Sequence, residues 1–289
     1  MNSIPLVVTG AKGYVGQRLV NQLVESGKQV IEVDVLGPRG LDLSDPDAAE
    51  KLSGWLPGSF DLIHLAFPFP GTMRSKDMEG IVEKINFSLL SLSPRPLRTL
   101  FISSTAVYSP DNLMEHSPWE IYGHLKSESE IKLQELGNLS VLRPGTLIDA
   151  SRRSVMATIY LRALSGQLAI LPRHGSLAHP FLHVDDLVGA CLWWSEQDDR
   201  VNFVHDLWAS EPTSAQEYLQ TRGAKSRILN LPGFIQRSFG SDSIPFFGIT
   251  KWHLKALSYD VSGRESGYFE TKPPRKMSDI FDELLSGTP

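Results

Sequence analysis

The 289-residue sequence has one cysteine, Cys191, so no disulfide can form within the chain. Cys191 lies in the apolar run Leu187 to Trp194, which reads as a buried helix face. A reactive thiol needs a polar, electropositive setting, so this one is expected to pack. Runs of about 18 uninterrupted apolar residues are lacking, and with them any expectation of a membrane-spanning helix. Blocks of like charge are lacking too. The net charge of −5 is dispersed, and the concentrated basic face that nucleic acid requires is missing. Met1 to Pro5 have neither the charged start nor the apolar core of a secretory leader, so a cytoplasmic location is expected.

The composition, 41% hydrophobic and 21% charged, is that of an ordinary soluble globular protein. A chain this long can bury a full core, as one large domain or as a core with a smaller lobe. Short apolar runs at Ile4–Val8, Gln29–Val33, Phe60–Ala66, Arg98–Ser103 and Leu139–Arg143 read as strands. Between most of them lie helical patterns. Val15, Leu19, Val20, Leu23 and Val24, for example, recur at helical spacing before Gly27. Parallel strands need crossovers, so strict alternation implies a parallel sheet covered on both faces.

The fold class is therefore α/β: a Rossmann-type doubly wound parallel sheet with a smaller C-terminal substrate lobe. Residues 1–148, with 181–204 returning to them, are expected to form the dinucleotide-binding core. Residues 149–180 and 205–289, where the pattern turns irregular, are expected to form the lobe.

Thr9-Gly10-Ala11-Lys12-Gly13-Tyr14-Val15-Gly16 places glycines at 10, 13 and 16, after one strand and at the entry to a helix. A pyrophosphate-binding turn needs that arrangement: a tight bend, close backbone approach and a helix set near the sheet. The helix N-terminus then offers N–H groups and partial positive charge to the phosphates. Asp34 closes the second strand 18 residues after Gly16. A carboxylate there hydrogen-bonds the adenosine ribose diol and repels a 2′-phosphate, so NAD is expected over NADP. Arg39, nearby, works against that preference.

Tyr122 and Lys126, in Tyr122-Gly123-His124-Leu125-Lys126, share one face of a helix between the fourth and fifth strands. Phenolate is favoured by an adjacent ammonium and by a positively charged nicotinamide. Lowering a tyrosine pKa from near 10 to about 7 requires roughly 4 kcal/mol. So poised, Tyr122 removes a hydroxyl proton while hydride leaves the same carbon. A hydroxyl donor for the substrate oxygen is expected where the fourth strand ends, in Ser103-Ser104-Thr105-Ala106-Val107-Tyr108.

In this order, these segments resemble the extended short-chain dehydrogenase/reductases, the NAD-dependent epimerase/dehydratase family, over nearly the whole chain. Asp42-Leu43 resembles the family's adenine-contacting pair, and Leu65-Ala66-Phe67 the segment passing the nicotinamide ribose. Asn86 resembles its mid-sheet asparagine. Leu142-Arg143-Pro144-Gly145, His183-Val184-Asp185-Asp186-Leu187 and Tyr259-Asp260-Val261-Ser262 resemble later landmarks.

The resemblance implies that Ser104, Tyr122 and Lys126 are catalytic, with Thr105 the fallback hydroxyl. It implies cofactor contacts at Gly10, Gly13, Tyr14, Val15, Gly16, Asp34, Asp42, Leu43, Leu65, Ala66, Tyr122 and Lys126. Family dehydratases carry an acidic pair after the catalytic hydroxyl; Thr105 and Ala106 stand there, which disfavours dehydration. Epimerases of the family carry a diphosphate-clamping arginine shortly before the HVDD stretch. This chain has Ala178-His179-Pro180-Phe181, leaving His179, Arg152, Arg153 or Arg173 as substitutes.

Three readings stay open. One is an NAD-dependent epimerase that oxidises and re-reduces a carbinol carbon of a nucleotide-linked sugar. Another is a net reductase or dehydrogenase of a keto sugar or other small carbonyl compound. The third is a non-enzymatic NAD-binding protein on the same fold. His179, His183, Asp185 and Asp186 have the side-chain types of a metal site, but hydride transfer assisted by tyrosine needs none, and no metal is expected. The aromatic residues Trp193, Trp194, Phe246 and Phe247 are expected to pack or to line the lobe. The resemblance also suggests a homodimer.

Overall fold

The computed structural model describes residues 4–37, 40–70, 75–108, 118–149, 155–197, 202–225, 227–230, 243–244, 249–250, 261 and 274–287. Arg39, Arg152, Arg153, Phe246, Phe247, Tyr259, Asp260 and Ser262 lie outside the described residues.

The described chain divides into two compact units, residues 1–144 with 187–206, and residues 145–186 with 207–289. The first is built on β1 (Leu6–Thr9), β2 (Val30–Val33), β3 (Asp61–His64), β4 (Thr99–Ile102) and β5 (Leu139–Pro144). These five strands lie where the apolar runs predict them, within a residue or two at each end. With β9 (Val204–Leu207) they form a six-stranded sheet in the order β2-β1-β3-β4-β5-β9. The pairs β1–β2, β1–β3, β3–β4 and β4–β5 are parallel.

Strand periodicity accounts for the burial. Val7, Leu62, Phe101 and Val141 face one side of the sheet, in a cluster with Leu52, Ile85 and Leu89. Their neighbours Leu6, Val8, Ile63, Leu100 and Leu142 point to the other side and are equally buried. Both faces are therefore covered, as a parallel sheet requires. Helix α1 (Tyr14–Glu25) buries Gly16, Leu19, Val20 and Leu23, one stripe at three- and four-residue spacing. Helices α2 (Ala48–Ser53), α3 (Ser75–Leu90) and α4 (Pro118–Lys132) follow between the later strands.

The chain leaves β1 for β2 on one side and then returns to β3 on the other. The switch point of the sheet thus falls between β1 and β3, where open parallel sheets bind ligands at their carboxyl ends.

In the second unit, β6 (Thr146–Ile148) pairs in parallel with β8 (Phe181–His183). Its core gathers Tyr160 of α5 (Val155–Leu164), Phe181, and Tyr218 of α7 (Ala215–Thr221). Ile280, Phe281 and Leu284 of α8 (Met277–Ser286) complete the cluster. Ser214 and Glu217 close a reciprocal capping box at the start of α7. Helix α6 (Val184–Glu196) starts in this unit and ends in the first. Among the described residues, no helix is long and apolar enough to cross a membrane.

Candidate active site

Three loops meet at the switch point. Gly10 donates its backbone N–H to Val33 (2.8 Å), and Leu65 donates to the Thr9 carbonyl (3.1 Å). The approach leaves no room for side chains. A Cβ on Gly10, whose φ is +72°, would stand 2.8 Å from the Ala66 nitrogen, and one on Gly16 would stand 2.0 Å from the Gly10 oxygen. The helix behind them begins at Gly13 with no side-chain cap and no acid in its first turn. Tyr14, Val15 and Gly16 make up that first turn. A tight glycine cradle leading to an uncapped helix start fits a pyrophosphate.

Asp34 follows β2. Its carboxylate accepts the backbone N–H groups of Lys12 and Leu36, each at 2.9 Å, which sets it against the glycine loop. Asp42 is exposed, and its Oδ1 accepts from the Ser44 amide (2.8 Å) and hydroxyl (2.7 Å), shaping its own turn. Leu43 packs into the core, whereas Leu65 and Ala66 are half-buried where β3 ends.

The turn after β4 holds Ser104 and Thr105, both half-buried. The Ser104 hydroxyl draws the pKa of the Tyr122 phenol on α4 down. Burial outweighs it and holds the phenol above its ordinary value. Lys126, one helical turn on, is only 3% exposed and donates from Nζ to the Ile102 carbonyl at 2.6 Å. Its ammonium lies 3.8 Å from the centre of the Phe67 ring and 4.6 Å from that of Phe101. Burial lowers its pKa to about 7, against an opposing pull from Glu130.

The helix approaches this turn closely because of Gly123. A Cβ there would stand 2.2 Å from the Ala106 carbonyl oxygen.

Sequence reading assigned no role to several residues beside these. Glu130, one turn beyond Lys126, accepts from Ser103 Oγ (2.5 Å) and pairs bidentately with Arg143 of β5 (2.9 and 2.6 Å). Arg143 donates to Tyr108 Oη (2.6 Å), which donates in turn to Asp206 (2.9 Å). The four-residue repeat from Tyr122 through Lys126 is the one sequence signal that marks Glu130. His64 is buried beneath the switch point, with Nδ1 2.6 Å from Thr9 Oγ1. Burial, with the charge of Lys126, lowers its pKa to about 3. Asn86 donates to Ser129 of α4 (2.9 Å).

In the second unit, His179 is 2% exposed. Its Nε2 lies 2.8 Å from Thr146 Oγ1, and its ring packs edge-on to Phe181 at 4.8 Å. A side chain so enclosed serves the core of this unit. Arg173 sits on an exposed turn at φ 47°. His183 and Asp186 pair with Arg275, and His183 Nε2 lies 2.9 Å from Glu283 Oε1. The HVDD segment thereby fastens the start of α6 to the C-terminal segment. No group of three or more potential metal ligands occurs among the described residues.

Comparison with known proteins agrees with this architecture. The profile of the NAD dependent epimerase/dehydratase family matches residues 6–204. The uncharacterized protein y4nG of Sinorhizobium fredii is 24% identical over 254 residues, which cover 78% of this chain. The chain spans 62% of that relative's length.

Among solved structures, Bacillus cereus UDP-glucuronic acid 4-epimerase, bound to UDP-glucuronic acid and NAD, superposes with a TM-score of 0.63 at 16% identity, covering 98% of each chain. Human epimerase family protein SDR39U1, with NADPH, gives a TM-score of 0.64 at 17% identity over 98% of this chain and 99% of its own. Thermotoga maritima UDP-glucose 4-epimerase, with UDP-glucose, gives 0.57 at 20% identity over 79% of this chain and 86% of its own. On the family match, which spans most of its length, the chain belongs to the NAD dependent epimerase/dehydratase family.

Proposed function

We propose that this protein is an NAD-dependent epimerase of a nucleotide-linked sugar, acting by transient oxidation and re-reduction at one carbinol carbon. The observation that carries the reading is Lys126 of α4 fastened to the end of β4 at Ile102, one helical turn from Tyr122 and beside the turn that holds Ser104. In this reading the first unit holds the dinucleotide through Gly10, Gly13, Tyr14, Val15, Gly16, Asp34, Asp42, Leu43, Leu65 and Ala66. The second unit reads the substrate.

Ser104, with Thr105 beside it, donates to the substrate oxygen and holds it against the phenol. Tyr122 Oη takes the hydroxyl proton on oxidation and returns it on re-reduction, so one group serves as base and then as acid. When bound, NAD supplies the hydride acceptor and donor, together with a positive charge that favours phenolate. Lys126 adds a second cation on the same helix face, and Phe67 and Phe101 keep water from it.

The burial of His179 favours a second reading, net oxidation or reduction of a small carbonyl compound without a diphosphate. That histidine stands where the family's clamping arginine would, yet its ring is spent on packing. One experiment separates the two: incubation with NAD and a panel of UDP-, GDP-, dTDP- and CDP-sugars, and in parallel with NADH and simple carbonyl compounds, followed by NMR and by absorbance at 340 nm. Interconversion of two sugar epimers without net NADH supports epimerisation. Absorbance change in step with added dinucleotide on a simple carbonyl compound, with no sugar interconverted, supports the second reading.

A further inference from the structure

We propose that Glu32 sets the choice between the two nicotinamide dinucleotides by holding the Lys12 ammonium away from the position of a phosphate on the adenosine ribose. The proposal rests on the reading that the first unit binds NAD.

An open groove of about 390 Å³ runs along the edge strand β2, lined among others by Lys12, Glu32, Asp34, Leu36 and Trp55. It adjoins Asp34, the carboxylate at the end of β2 where an adenosine ribose is read. The Asp34 side chain is pinned by the Lys12 amide, so the Lys12 side chain starts from the same point. Its ammonium would be the natural partner for a 2′-phosphate, and Lys12 is the one cation among the described lining residues. That ammonium is instead paired with Glu32 Oε2.

Among the described lining residues, one positive group then stands against two carboxylates. A ribose 2′-hydroxyl is indifferent to that balance. A 2′-phosphate meets Asp34 and Glu32 together, and must break the ion pair to gain a counter-charge. The two side chains are 35% and 38% exposed, so the pair is weak and open to competition. Glu32 therefore acts chiefly through Lys12, by occupying the counter-charge a 2′-phosphate needs, and its effect is graded.

The test is titration of NAD and NADP into the wild type, Glu32→Gln, and the double variant Glu32→Gln/Lys12→Met, read by calorimetry. Wild type is expected to prefer NAD. Glu32→Gln should reduce that preference about tenfold, mainly through tighter NADP binding, and the gain should shrink at high salt. Adding Lys12→Met should cancel it. A preference that stays within twofold of wild type in Glu32→Gln overturns the proposal, as does a gain that survives loss of Lys12. Wild type that takes up neither dinucleotide overturns the cofactor reading beneath it as well.

Discussion

The ammonium of Lys126 is hydrogen-bonded to the carbonyl oxygen of Ile102, the last residue of β4, at 2.6 Å. One bond thus ties the helix that carries Tyr122 to the strand whose end presents Ser104. It also places a titratable cation among aromatic rings, and burial lowers its pKa from 10.5 to about 7. The unfolded chain therefore binds more protons than the folded one between about pH 7 and 10.5. Folding carries the full desolvation penalty below pH 7 and is relieved of it as pH rises through that window. Lys126→Met should remove this rise. Urea unfolding at pH 7 and pH 9 should show wild type gaining stability relative to Lys126→Met. Parallel behaviour of the two proteins would mean that Lys126 is solvated.

Tyr122→Phe removes the proton-transfer group while keeping the ring that packs edge-on to Phe67 at 5.5 Å. Turnover should fall by about 10²- to 10⁴-fold. Dinucleotide affinity, measured by titration, should stay within about threefold. Full activity in this variant would remove Tyr122 from the mechanism.

Gly123→Ala sets two effects against each other. Helix propensity favours alanine by about 1 kcal/mol. The new Cβ, however, would be aimed at the Ala106 carbonyl from 2.2 Å, and that contact is with backbone. Relief requires α4 to move away from the turn that holds Ser104, at a cost of about 1–3 kcal/mol. Activity should drop at least tenfold while the variant remains folded by circular dichroism. An alanine variant as active as wild type would show that the separation of turn and helix does not matter.

Glu130→Ala strands Arg143 and the Ser103 hydroxyl, both of which point at the lost carboxylate. Arg143 keeps its contact with Tyr108 and is partly solvated, so the cost should be about 2–4 kcal/mol, below that of a fully buried broken pair. Equilibrium unfolding measures this directly. A loss under about 1 kcal/mol would make the network a surface arrangement.

The features legible in the sequence are those whose cause is local. The glycines of Thr9–Gly16 signal a bend followed by a helix, and Tyr122 and Lys126 share a face because they are four apart. Short apolar runs located five strands, because all but the edge strand β2 are buried along most of their length. Less legible were pairings set by tertiary approach. Glu32 and Lys12 meet across neighbouring elements, and Arg143 of β5 reaches Glu130 on helix α4. The enclosure of His179 by the aromatic core around Tyr160 and Phe181 is likewise tertiary, and its place before the HVDD stretch does not reveal it. Nor does spacing reveal the burial that raises the Tyr122 pKa in the chain without a dinucleotide.

The central claim, that the glycine loop of the first unit holds NAD, is tested most directly by titrating NAD into wild type and into Gly16→Ala. The added Cβ would fall 2.0 Å from the Gly10 oxygen and distort the cradle at its narrowest point. Wild type should bind one NAD per chain saturably, and the variant should bind it at least tenfold more weakly. No uptake by wild type, or equal affinity in the two proteins, would contradict it.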